Sequence, residues 1–383
     1  MTVRAGVGWS LAKDARTAAT EVVEMASAGL GGESPSLALL FATVDMDLSV
    51  LVPQVARHLK GVPIFGGSSF TGILTPAGFQ AGPNGVAGLM LLSGVQAGVA
   101  RCMIGGNPRR AGAIAAGLAR RQAGQSREPD LFLMLTPPGS EEGVVGGIAA
   151  RHPGVPVVGG SPGDNTIEGY WKAFANGRVL EDSAVVAALY AKVGYAFGSG
   201  YRPTAKRARA GAEGRTLKTL DGRPALDVYA EWTGKRREDL IGGLKLLGES
   251  LLAPLATPMG DTYLIKHLAT GNEDGTIGAF AEFAEGEEVV LMEATVDELI
   301  ASAGEVVRQA AQGMKEVRAA FLVHCAGRRV ALGDRIGEVV GVVKGAIGDA
   351  PFLGFCSFGE QGMLLPGTNL HGNLMLSALV IGE

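Results

Sequence analysis

The chain has 383 residues, 47% of them hydrophobic and 19% charged, too apolar for disorder and long enough for two domains with separate cores. Its 34 basic and 38 acidic side chains leave a formal charge of −4, and the basic residues cluster only in KRARAGAEGR at 206–215, so no basic face is offered to nucleic acid. The start MTVRAGVGWSLAKDA lacks the apolar core of a signal peptide, no apolar run reaches the roughly 18 residues of a membrane span, and Cys102, Cys325 and Cys356 form no CxxC pair. A cytoplasmic protein with reduced thiols is expected, away from membranes, with neither a disulfide framework nor a structural zinc site.

In chain order, a first helix is expected on the apolar face Ala15, Ala18, Ala19, Val22 and Val23, whose spacing is helical. The continuous apolar run SLALLFA at 36–42 reads as a strand covered on both faces, as in a parallel sheet. A second helix carries Leu48, Leu51, Val55 and Leu59 inward, then VPIFGGSSFTG at 62–72 supplies a short strand and a glycine turn, and GVAGLMLLSG a closing strand. The same series returns with Ala111, Ile114, Ala115 and Leu118 behind Pro108, the strand DLFLML at 130–135, Val144, Val145 and Ile148, the turn VPVVGGSPGDN at 155–165 and the strand SAVVAALYA. Pro108 suits a first helical turn. His58 and His152, before equivalent strands, fit helix C-termini, where histidine meets the dipole favourably.

The third copy has the helix Leu299, Ile300, Ala303, Val306 and Val307, the strand AAFLVHC at 319–325, a helix with Ile336, Val339, Val340 and Val343, the turn APFLGFCSFGE at 350–360 and the strand GNLMLSALVIG. Thr295 and Glu298 have capping-box spacing, and Asp334 is a candidate N-cap. Between the second and third copies, from about 195 to 290, alternating polar and β-prone residues predict hairpin strands, a helix through Ala225, Val228, Tyr229 and Trp232, and a turn at TGNEDGT. The expected fold class is therefore α/β, with repeated strand–helix–strand units forming mixed sheets and packing as pseudo-symmetric halves. The domains are drawn as 1–194, holding two units, and 195–383, holding the hairpin region and the third unit.

Three glycine turns can reflect a structural repeat alone or a ligand site assembled from equivalent loops. GGSSFTG in the N-terminal part, then LDGRPALDVY, HCAGRR, GFCSFGEQG and LHGNLML, resemble the FIST family, named for F-box and intracellular signal transduction proteins, as a FIST N-terminal part followed by a C-terminal part. That resemblance implies a sensory protein that binds a small ligand, such as an amino acid, and signals through a separate partner protein. Some members resemble haem-containing nitric oxide sensors, so haem is implied as an alternative cofactor. Cys356 stands where the family pattern leads us to expect an aromatic or bulkier residue.

Cys325 and Arg328 lie where a strand ends and its loop begins, the usual place for ligand contacts in open α/β sheets. Arg328 could grip a carboxylate with two parallel hydrogen bonds and Glu360 could receive an ammonium group, with Cys325 and Cys356 lining the wall between them. His371 in GTNLHGN could bond a ligand or ligate haem iron. Each also has a plain alternative: a buried hydrophobe for the cysteines, a solvated loop residue for Arg328, a loop cap for Glu360, a structural imidazole for His371. Asp164, Asn165 and Trp171 could contribute to a cleft or simply form a turn with a packed aromatic. The opposing functional class is a cysteine-dependent enzyme acting on a small substrate. His324 adjoins Cys325, but neighbours on a strand point to opposite faces, so His371 is the better candidate base. A phosphate loop is not supported, because neither GGSS nor GGSPGD carries the lysine and hydroxyl combination such a loop requires.

Overall fold

In each copy, the apolar run expected to be a doubly covered strand is one. A computed structural model describes residues 2–383, and all side chains of Leu37–Ala42 and Leu131–Leu135, with most of Val317–Cys325, are buried. Each run pairs in parallel with the strand leading into its glycine turn, Ile64–Ser68, Val157–Gly160 and Phe352–Ser357 respectively. On its other side each pairs antiparallel with its closing strand, Ala87–Ser93, Ser183–Tyr190 or Leu376–Gly382. A further strand that the sequence reading did not identify lies outside the closing strand in every unit: Arg4–Ser10, Gln96–Met103 and Val193–Gly198. The three units thus share one strand order.

The sheets are completed by exchange. The hairpin after the first glycine turn, Ile73–Thr75 with Gly78–Gln80, joins the third unit's sheet through Gly354 and Phe355. The second unit's hairpin, Ala173–Ala175 with Arg178–Leu180, joins the first unit's sheet, and the third unit's, Glu360–Leu365 with Thr368–Gly372, joins the second's. Each unit lends its hairpin to another in a closed cycle. Leu39, Phe41, Leu133, Phe321, Val323 and Phe355 from all three sheets share one core, with Phe41 stacked on Phe355 at a centroid distance of 4.3 Å. Each such ring contributes roughly 1.5–3 kcal/mol by leaving water.

Helices cover the outer faces and begin where the sequence supplies caps. Asp14 and Asp47 accept backbone N–H groups of the helices Ala15–Ala28 and Leu48–Leu59, Asn107 caps Pro108–Gln122 with proline in its first turn, and Thr295 with Glu298 closes a capping box on Val296–Ala310. His58 lies in a last turn and His152 at a helix C-cap. Asp334 is not a cap: a 3-10 turn over Gly333–Gly337 intervenes, so the last helix begins at Glu338 behind Gly337. No helix among the described residues is long and apolar enough to cross a membrane.

The third unit is interrupted after its first strand. Residues 199–295 form a separate antiparallel sheet in which the long strand Arg202–Glu213 lies between Thr216–Leu220 and Glu288–Glu293. The helix Ala225–Thr233 packs Leu226, Tyr229 and Ala230 into a core of its own with Leu217, Leu255 and Val289. This insertion faces the glycine turns and forms one wall of the site.

Candidate functional site

The three glycine turns meet at the carboxyl ends of the parallel strands, where α/β folds place ligands. Phe70 N–H donates to Cys356 O, Gly163 N–H to Ser68 O and Phe358 N–H to Ser161 O, each at 3.0 Å. Positions equivalent in the three quoted turns thus close a cyclic ring of hydrogen bonds, each turn holding the next. Buried backbone groups need partners, and this ring is the physical reason for the same apolar run, glycine and small residue recurring in one chain. The ring is structural. The chemistry lies where the insertion covers it.

A cavity of about 130 Å³ opens there, lined by Phe70, Trp171 and Phe358 from the turns, Cys325, Ser357 and Asn373 from the third unit, and Leu247, His267 and Phe280 from the insertion. Phe358 lies 5.8 Å from Phe70 and 6.0 Å edge-on from Trp171, so three rings form one apolar corner. Trp171 and Ile167 are carried by a loop organised by the buried Asp164. Its carboxylate accepts N–H groups of Thr166 (3.1 Å), Ile167, Gly169 (2.8 Å) and Tyr170 (2.7 Å). Ile167 has φ 61°, unusual for a β-branched residue, and the Asp164 carboxylate holds it at the cavity wall.

Of the five residues singled out from sequence, Cys325 lines the cavity. Its Sγ accepts Leu374 N–H at 3.2 Å, and burial, then the charge of Glu360, pushes its thiol well above the usual range. Glu360 stands behind Ser357, accepting from Ser357 Oγ at 2.6 Å and Met375 N–H at 3.0 Å. Burial outweighs those bonds and pushes its carboxyl up to about 8. Cys356 is wholly buried and does not line the cavity. It works through its backbone, its N–H donating to Ser69 Oγ at 2.9 Å, while burial pushes its thiol up to about 12.

Arg328 is fully buried and its guanidinium is engaged by Ser199 O, Leu299 O at 2.6 Å and Ser302 Oγ at 2.9 Å. It ties the short helix Ala326–Leu332 to both crossings between the core and the insertion, and it is not part of the cavity wall. His371 is also off that wall. Its Nε2 faces Phe280 O at 3.3 Å, and its Nδ1 faces Gln361 Nε2 at 3.2 Å and Glu360 O at 3.3 Å. With both ring nitrogens turned to protein groups, His371 presents no free lone pair to iron, and these residues do not fit haem.

Residues that the sequence reading missed complete the site. Asn373 Oδ1 accepts His267 N–H at 3.3 Å, which fixes the amide's orientation, because a backbone N–H needs an oxygen opposite it. Asn373 Nδ2 is buried with no hydrogen-bond partner among the described residues. His267 is driven down to about 4 by burial, and its Nε2 donates to Leu247 O at 3.0 Å; it is a neutral wall residue. At the rim, Arg215 bridges Glu141 at 2.7 Å and Glu142 at 2.6 Å, and Glu282 N–H donates to Glu142 at 3.0 Å. Burial works against the Glu142 carboxylate, yet the charges of His371 and Arg215 hold it below the ordinary range. Ligand atoms of Glu141, Glu142 and His371 lie within 4.8 Å of one another, but Glu141 is already engaged by Ser161 Oγ, Gly139 N–H and Arg215. A guanidinium holds the place a metal ion would need.

Comparison with protein families matches residues 36–223 to the FIST N domain and residues 225–363 to the FIST C domain. No curated protein matches. Among solved structures, a cyanuric acid hydrolase from A. caulinodans aligns over 100% of both chains at 9% identity with a TM-score of 0.40, and a second cyanuric acid hydrolase structure does so at 9% identity with a TM-score of 0.38. At these scores neither likeness bears on function.

Proposed function

The chain belongs to the FIST family, and from that premise we propose that it is a small-molecule-binding sensory protein whose ligand occupies the cavity between the glycine turns and the insertion. FIST domains are associated with signal transduction, and the output would pass to a separate signalling protein. The division into residues 1–194 and 195–383 belongs to the same proposal, two units preceding a boundary that falls within the third unit's first strand, Val193–Gly198, and the insertion and the rest of the third unit following it. The observation that carries the reading is the unpartnered Asn373 Nδ2 on the wall of an aromatic cavity. A buried donor left without an acceptor costs about 1–3 kcal/mol, which a ligand acceptor recovers.

Binding without chemistry is favoured over catalysis by the state of Cys325. Burial disfavours its thiolate, and the adjacent His324 Nδ1 is turned to Cys325 O at 3.1 Å, with its pKa pushed down to about 3 by burial and the nearby Arg328 charge. A thiol held neutral with no base addressed to it is a poor nucleophile. The test is a thermal-shift screen of amino acids and other small polar compounds on the wild type and on Ala326→Leu, which fills the cavity at a wall residue. Compounds that raise the melting temperature only of the wild type support the reading. Hits that act equally on both proteins, or an absence of hits, overturn it.

A further inference from the structure

The charges around the cavity restrict what can enter. Arg328, the cation expected to receive a carboxylate, is turned to Ser199, Leu299 and Ser302 and does not line the cavity. Arg215, the cation on the wall, is already shared by two carboxylates, Glu141 and Glu142, so it is not free to receive a further anion. Glu360, kept from the wall by Ser357, also provides no free cation partner. Among the described residues, the buried side-chain donor of this wall that has no partner is Asn373 Nδ2, set in a wall otherwise dominated by Phe70, Trp171, Phe280 and Phe358. Apolar cavities of roughly 150 Å³ take a ring the size of benzene, so about 130 Å³ suits a ligand of comparable size.

We infer that the cavity selects a small uncharged carbonyl compound, an amide, lactam or ester, whose oxygen accepts from Asn373 Nδ2 while its apolar body lies against the aromatic corner. This rests on the proposed binding function and deepens it by naming the ligand class. It also departs from the free amino acid that the family resemblance implied, because a carboxylate would enter beside Glu141, where the wall's cation, Arg215, is already engaged by two carboxylates. The donor is selective for a stated reason. Its amide cannot turn to offer Oδ1 instead without leaving His267 N–H facing an NH₂ group.

The experiment uses butyramide, 2-pyrrolidinone and butyrate as probes, with affinities measured by ligand-observed NMR on the full chain, on Asn373→Asp and on Ala326→Leu. Asn373→Asp keeps an oxygen for His267 N–H and replaces the cavity donor with a charged acceptor. The expected result is butyramide and 2-pyrrolidinone binding at least about tenfold more tightly than butyrate, with amide binding reduced by about tenfold or more in folded Asn373→Asp and abolished in Ala326→Leu. Butyrate binding equal to or tighter than butyramide, and blocked by Ala326→Leu, overturns the ligand class and leaves the cavity as the site. Unchanged amide affinity in folded Asn373→Asp does the same. If no probe binds the wild type, or all bind Ala326→Leu equally, both the ligand class and the cavity assignment fail.

Discussion

Replacing Glu360 with glutamine should make the protein more stable, and by an amount that depends on pH. The carboxyl is fully buried and its pKa stands at about 8 against an ordinary 4.5, so the folded chain keeps a proton that the unfolded chain releases. A raised carboxyl pKa means that folding is least opposed below the ordinary value, and that stability is lost progressively as pH rises from about 4.5 toward about 8. By about pH 7 the accumulated penalty is roughly 3 kcal/mol, from about 1.4 kcal/mol for each pH unit of separation. Glutamine is shaped like the protonated acid. Its oxygen can accept Met375 N–H and its NH₂ can face Ser357 Oγ, the two groups that Glu360 contacts. Glu360→Gln should therefore match the wild type near pH 4 and exceed it by on the order of 3 kcal/mol near pH 7. Urea unfolding followed by the fluorescence of Trp9, Trp171 and Trp232 reads the difference. His267 and His324, pushed down to about 4 and about 3 by burial, titrate in both proteins and cancel. A stability difference that stays flat with pH, or a glutamine variant weaker than wild type near pH 7, would refute the neutral buried carboxyl.

Gly66→Ala should cost about 3 kcal/mol or more, because its Cβ would stand 1.7 Å from Leu40 O between the parallel strands. Gly354→Ala in the equivalent strand meets Leu74 Cβ at 3.1 Å and should cost about 1 kcal/mol; equal melting temperatures for the two variants would contradict that ranking. Arg328→Met should destabilise by about 2–4 kcal/mol and speed limited proteolysis near Ser199, since the carbonyls of Ser199 and Leu299 lose their shared donor; unchanged proteolysis would show that Arg328 does not hold the crossings. Asp164→Asn should cost about 2 kcal/mol, two backbone bonds at about 1 kcal/mol each, and increase iodide quenching of Trp171 fluorescence, whereas unchanged quenching would mean that the loop is held by other contacts.

The helices and central strands were legible because their signals are local: helical spacing at Ala15 to Val23, and doubly buried runs such as Leu37–Ala42. The first strand of each unit escaped notice because small residues interrupt it, as in Arg4–Ser10 and Val193–Gly198, and its partner is distant in sequence. The exchanged hairpins left still less trace. Strands as short as Ile73–Thr75 and Ala173–Ala175 are fixed by pairing with another unit, and nothing within them identifies that partner. At the site, Cys325 could be read from its place at a strand end, whereas the direction of Arg328 is set by Ser199 and Leu299, distant residues at the insertion's two crossings. Asn373 gave no signal of its own, since its orientation comes from a bond to His267 in the insertion.

The turns also show how a repeated scaffold acquires a single site. After the ring residues Ser68, Ser161 and Cys356 come Ser69, Pro162 and Ser357. Ser69 Oγ is occupied by Gly72 O and Cys356 N–H, and Pro162 has no donor. Ser357 instead lines the cavity and reaches back to Glu360. The insertion interrupts the unit that carries this third turn, bringing Arg215, Leu247, His267 and Phe280 over one side of the pseudo-symmetric end. Symmetry satisfies the backbone at all three turns, so the polar character of the cavity comes from residues that break it: Ser357 within the repeat, whose hydroxyl is given to Glu360, and Asn373, oriented by contact with the insertion. A ligand in the proposed cavity would touch both the ring and the insertion, and Arg328 links that cavity wall, through the helix Ala326–Leu332, to the two crossings by which the insertion is attached.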